Sequence, residues 1–237
     1  MAKRRLDKLS MASRVVSITF SLRQRMSLSK VVLGMQSFRC SEALLGGLYG
    51  VEYTQIGYSG GKKLHPTYRR IGDHTEVVEV HYNPKLISIS DILQVFFENH
   101  DYTALFPTRY RSSVFYTEDI QKDEAEYFIR NVLSDEAVTV VKPLEGYHDA
   151  EHIYHKYYLQ ENPTIMLQLL YEYQWDWKTW FKEFNVLPFV TKLNAALSGL
   201  FPMDYVDRIL DGINVPDLIK RECRLRASHV RPRCLYM

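Results

Sequence analysis

Ser37 and Cys40 stand where a nucleophile would be activated, at the junction between an apolar run and a helix. Residues 31–42 read Val-Val-Leu-Gly-Met-Gln-Ser-Phe-Arg-Cys-Ser-Glu. The apolar stretch predicts a buried strand over 30–35, a tight polar turn follows, and Ser41-Glu42-Ala43-Leu44-Leu45 opens a helix expected over 40–48. A helix start carries partial positive charge, which stabilises a thiolate and makes it reactive. Ser37 is the position best placed for that role, and it carries a hydroxyl. The nearest thiol, Cys40, lies one turn along the helix, a displacement of about 5 Å. An ordinary strand-to-helix connection has the same appearance, so this segment alone does not decide its own chemistry.

The elements that would position such a site alternate through the centre of the chain. Strands are predicted at 30–35, 50–58, 76–82, 112–116 and 137–141, with helices at 40–48, 88–99, 118–133 and 150–160. Ser88 and Asp91 form a capping-box-like start to the second helix, and Leu93, Phe96 and Phe97 supply its buried stripe. The pattern predicts an α/β or α+β domain over 30–160. No internal repeat is visible. A Trp-rich helical extension over 161–219 is expected to pack on it, with Trp175, Trp177 and Trp180 as core aromatics. Residues 188–227 read as two or three short helices. The basic run from Lys220 to Arg233 reads as a tail over 220–237.

Composition narrows the function classes. A formal charge of +2 on 237 residues gives no footprint for nucleic acid. No apolar run reaches the roughly 18 residues of a membrane-spanning helix. The three cysteines, Cys40, Cys223 and Cys234, cannot form a disulfide framework, which points to a reducing compartment and away from secretion. No metal-ligand spacing stands out. Residues 1–29 carry many Lys, Arg and Ser against one acid, Asp7, the composition of a mitochondrial transit segment or of a basic leader on a cytoplasmic protein.

Ordered short strings then identify a family. Gly57-Tyr58-Ser59-Gly60-Gly61, His65-Pro66-Thr67-Tyr68, His74-Thr75-Glu76-Val77-Val78, Phe97-Glu98-Asn99-His100-Asp101, Tyr110-Arg111-Ser112 and Ala150-Glu151-His152-Ile153-Tyr154-His155-Lys156-Tyr157 follow one another along the chain. Together they resemble the A-type peptide methionine (S)-sulfoxide reductases. Lys192-Leu193-Asn194 and Ser198-Gly199 extend the resemblance, which covers roughly 30–200. Counting back from Gly57 places the family's Gly-Cys-Phe-Trp-Gly-x-Glu on Gln36-Ser37-Phe38-Arg39-Cys40-Ser41-Glu42. The catalytic cysteine falls on Ser37, and the second aromatic of the methyl-binding wall falls on Arg39. Phe38 and Glu42 are kept.

The resemblance implies an α+β fold, a two-layer sandwich of mixed sheet flanked by helices, and a two-cysteine cycle without a bound cofactor. A thiolate attacks the sulfoxide sulfur of a methionine-sulfoxide peptide and methionine departs. The resulting sulfenic acid is resolved by a second thiol, and thioredoxin or another dithiol reduces the disulfide. By alignment Glu76 is the acid, Tyr68 and Tyr110 donate to the sulfoxide oxygen, and Phe38 forms half of the methyl wall with Arg39 opposite. A serine at position 37 breaks the cycle, because a hydroxyl is far less acidic than a thiol and has no sulfur to carry the oxidation. The interval Arg69–Thr75 lacks the family's Cys-Ser-Gly. Between Asp101 and Tyr110 the family's Gly-Asn-Asp loop is missing, so its supporting aspartate has no counterpart.

Three functions are therefore expected to compete. One is a reductase-fold protein, impaired or inactive, that still recognises methionine sulfoxide or a protein segment. Another is an altered reductase with Cys40 as nucleophile and Cys223 or Cys234 as resolving thiol. The third is an interaction module built on the Trp-rich segment. A monomer without membrane or nucleic-acid partners is expected in each case.

Overall fold

The computed structural model describes residues 28–133, 135–175 and 180–228. The leader up to residue 27, Trp177, Arg231, Arg233 and Cys234 lie outside the described residues.

Six strands form one mixed sheet: β1 (Ser29–Gly34), β2 (Val51–Ser59), β3 (Thr75–Tyr82), β4 (Ser113–Tyr116), β5 (Val140–Pro143) and β6 (Tyr147–Asp149). Their order is β5-β4-β1-β3-β2-β6. Only the β4–β5 pair is parallel. Side-chain alternation along the strands separates two apolar clusters. Val31 and Leu33 of β1 join Val78 and Val80 of β3 in the main core, whereas Val32 and Val77 face Phe115 on the other side. Glu76 shares the parity of Val78 and Val80, so β3 carries it toward the main core. Across the sheet it stands opposite Tyr58 of β2.

Helix α1 (Phe38–Gly47) packs on that face almost wholly buried. Helix α2 (Ile89–Glu98) begins at the expected capping box, in which the Ser88 hydroxyl accepts from Asp91 N–H and the Asp91 carboxylate accepts from Ser88 N–H. Helix α3 (Asp119–Asn131) follows β4. The helix expected over 150–160 is corrected to two pieces, a 3₁₀ turn at His152–Tyr154 and the short α4 (Tyr157–Gln160). Lys156 breaks it with a left-handed backbone, φ +49°. The reason is Glu42: its carboxylate accepts from both the Lys156 amide (2.7 Å) and its Nζ (2.6 Å), and neither side chain is exposed.

Sequence periodicity also misplaced part of the periphery. The strand expected at 137–141 forms at Val140–Pro143, and β6, three residues long, gave no pattern to detect. Beyond residue 160 the chain forms α5 (Pro163–Glu172), α6 (Phe181–Phe184), α7 (Pro188–Leu197), α8 (Met203–Asp211) and α9 (Asp217–Ala227). Trp175 and Trp180 pack half-buried against the core, each meeting the Phe184 ring edge-on. Residues 220–227, read both as the end of the helical stretch 188–227 and as the start of a tail, belong to α9, because Ile219, Cys223 and Ala227 fall four apart and bury one stripe among the charges. Gly47 lets the extension approach α1: a Cβ there would lie 2.3 Å from the Phe201 ring.

His100 ties the end of α2 to β4. Its Nδ1 donates to the Phe96 carbonyl (2.6 Å), so Nε2 must accept from the Ser112 hydroxyl (2.7 Å). That arrangement requires a neutral ring, and burial pushes the imidazole from 6.5 down to about 4. Acid thus favours the unfolded chain, whose histidine takes up its proton first as pH falls through 6.5. Urea unfolding at pH 7 and pH 4.5 should show this residue contributing a loss of about 2–3 kcal/mol. A His100→Gln variant should have a pH dependence flatter by that amount.

Candidate active site

The candidate site sits where α1 begins against β3. The turn between β1 and α1 is closed by Ser41, whose hydroxyl lies within hydrogen-bonding distance of the Met35 (3.0 Å) and Ser37 (2.9 Å) carbonyls. Gln36, aligned with a family glycine, is buried in the left-handed region at φ +64°. Ser37 is the N-cap residue of α1, yet its side chain makes no capping bond. It remains half-buried at the mouth of the site.

Glu76 reaches the same helix end. Its Oε2 accepts from Phe38 N–H at 3.3 Å, so the carboxylate occupies the electropositive helix start. Its other oxygen, Oε1, accepts from Arg109 Nε at 2.6 Å, with Nη2 at 2.5 Å. Burial pushes the Glu76 carboxyl above its ordinary range, and the Arg109 guanidinium offsets part of that shift. Arg109 arrives on a 3₁₀ turn at Thr108–Tyr110, in the interval where the family's longer loop is missing. Thr75 fixes this segment by donating to the Thr108 carbonyl (2.8 Å) and accepting from Arg111 Nε (3.0 Å).

The same guanidinium separates the two expected oxygen donors. Arg109 Cζ lies 4.2 Å from the Tyr68 ring centroid and 5.3 Å from that of Tyr110. Burial, reinforced by the Glu76 charge, raises the Tyr110 hydroxyl above its usual pKa. Phe38 is fully buried and forms an aromatic wall with Tyr58, Tyr68 and Tyr154, at centroid distances of 6.0–6.3 Å. Tyr68 and Tyr154 stack at 4.4 Å. Arg39 adds a second guanidinium, 4.6 Å from Tyr157 and 5.7 and 5.8 Å from Tyr68 and Tyr154. Such contacts favour a cation over the ring faces.

Thus Ser37, Phe38, Arg39, Tyr68, Glu76 and Tyr110 converge on one place. Among the described residues, the cysteines do not add a free thiol to it. Cys40 is buried on α1 and disulfide-bonded. Cys223 is a free thiol buried in α9, pushed up to about 12 by burial. Asp101 caps its own loop by accepting from Thr103 and Ala104 N–H.

Two participants escaped the sequence reading. Arg109 belongs to no family string, and only its step before Tyr110 hinted at its position. Glu151 lay within a motif without an assigned role. Its carboxylate accepts from Tyr58 OH (2.8 Å) and Tyr68 N–H (3.1 Å), fixing the ring over which Arg109 lies.

A family model described as peptide methionine sulfoxide reductase matches residues 29–182. The peptide methionine sulfoxide reductase MsrA of Pelagibacter ubique is 41% identical over 143 residues, covering 55% of this chain and 97% of that protein. The corresponding protein of Picrophilus torridus is 34% identical over 140 residues, covering 53% of this chain and 78% of its own. Among solved structures, methionine sulfoxide reductase A of Corynebacterium diphtheriae aligns with a TM-score of 0.51 at 26% identity, covering 58% of this chain and 76% of that one.

The left-handed backbone at Gln36 yields a stability prediction. Glycine adopts this conformation without the side-chain penalty of about 1 kcal/mol. Gln36→Gly should therefore raise stability by up to about 1 kcal/mol in urea unfolding, provided the loss of its buried side chain costs less.

Proposed function

Because the chain belongs to the peptide methionine sulfoxide reductase family, we propose that it is a member that keeps the scaffold and has lost the reductase turnover. The relatives' chemistry acts on methionine sulfoxide in peptides. The observation that carries the proposal is the pairing of Ser37 at the nucleophile position with Arg109 on Glu76. A serine hydroxyl cannot form the sulfenic acid that carries oxygen away from the substrate. Arg109 independently occupies the acid: its Nε bonds Glu76 Oε1, and its positive charge favours the ionised carboxylate over the protonated form that a departing oxygen needs. A sulfoxide oxygen approaching Glu76, Tyr68 and Tyr110 would have to displace that guanidinium. In this reading thioredoxin has no intermediate to reduce.

The two losses separate by mutation. With a methionine-S-sulfoxide peptide and dithiothreitol, the wild-type chain should show no turnover above the reagent blank. Ser37→Cys alone should remain near that level, while Ser37→Cys combined with Arg109→Leu should exceed either single variant at least tenfold. Wild-type turnover that survives Ser37→Ala and disappears in Cys40→Ser would instead establish an altered reductase using Cys40.

A further inference from the structure

A cavity of about 760 Å³ lies at the opposite end of α1 from the candidate active site, between the central domain and the extension. Its volume falls in the range of small-molecule sites. Tyr49, Leu86, Tyr173, Phe189, Ile209 and Ile213 form most of its apolar wall. Tyr173 and Phe189 stack at 4.9 Å. Much of this wall is built by α7, α8 and the turn after α8, beyond the region matched by the family model.

One half-buried cation lines the same cavity. Lys192 of α7 donates its Nζ to the Gly46 carbonyl at 2.8 Å and to the Leu48 carbonyl at 2.6 Å. Those bonds use two of the three N–H donors of an ammonium group. Among the described residues no carboxylate lies within salt-bridge distance of Lys192, although Glu52 also lines the cavity and exerts a weaker attraction. Burial lowers the Lys192 pKa to about 8. Arg208, at the mouth, is already paired with Asp204 at 3.0 Å.

We propose that this cavity binds a small monocarboxylic acid with an extended apolar body, its carboxylate accepting from the remaining N–H of Lys192 and its hydrocarbon lying along the aromatic wall. The apolar surface selects the body, and a cation with no carboxylate at salt-bridge distance selects the head group. Glu52 disfavours a second negative charge. The site is separate from Ser37 and Glu76, so it stands or falls independently of the lost turnover.

Calorimetric titration of the full chain with decanoate, and with its neutral counterpart decanamide, provides the test. Decanoate should bind saturably at one site and at least tenfold more tightly than decanamide. Lys192→Met should weaken decanoate at least tenfold. Tyr49→Asp, at a wall residue 72% exposed, should weaken it similarly without disturbing the fold. Absence of saturable decanoate binding to the wild-type chain would overturn the proposal. So would equal affinity for decanamide, or undiminished decanoate affinity in a folded Lys192→Met or Tyr49→Asp variant.

Discussion

The buried pair of Glu42 and Lys156 is the constraint on which the rest of the site depends. Both side chains are removed from solvent, and Lys156 also donates to the Thr54 carbonyl at 2.5 Å. One interaction thereby joins α1, β2 and the segment carrying Glu151, Tyr154 and Tyr157. The desolvation of two charges is offset only when such a network satisfies them, and breaking one partner of a buried pair typically costs about 3–5 kcal/mol. The left-handed backbone at Lys156 follows from the same geometry, since amide and ammonium both turn to one carboxylate. Glu151 then places Tyr68, and Tyr154 and Tyr157 form the rings against which Arg39 rests.

Within that frame, the changes around the nucleophile position fit together physically. A vacant thiolate position would leave the start of α1 facing an acid and two phenols. Instead, Glu76 takes the helix end and Arg109 neutralises Glu76, so each charge has a partner in a largely desolvated place. The 3₁₀ turn before β4 brings Arg109 within reach. Arg39 is a cation that its tyrosine neighbours hold over their ring faces. The result is a satisfied electrostatic cluster where the family's chemistry requires an available proton.

Much of this was legible in the sequence, for identifiable reasons. The apolar run through Val31 and Leu33 marked β1. The ordered strings brought Ser37, Phe38, Tyr68, Glu76 and Tyr110 together before any coordinates did. Arg109 was illegible because its role depends on where a short turn delivers a side chain, not on periodicity. The break at Lys156 was hidden because a pairing 114 residues away overrides local helical preference. Residues 220–227 gave two readings, helix and tail, because their charges outnumber the three buried positions that hold α9 in place.

The account rests on Arg109 occupying the position that a sulfoxide would need beside Glu76. Calorimetric titration with a short methionine-S-sulfoxide peptide, comparing the wild-type chain with Arg109→Leu, addresses that claim directly. The account predicts no saturable binding to the wild-type chain below millimolar concentration, and affinity at least tenfold higher in the variant. Micromolar binding to the wild-type chain, unchanged by Arg109→Leu, would contradict it.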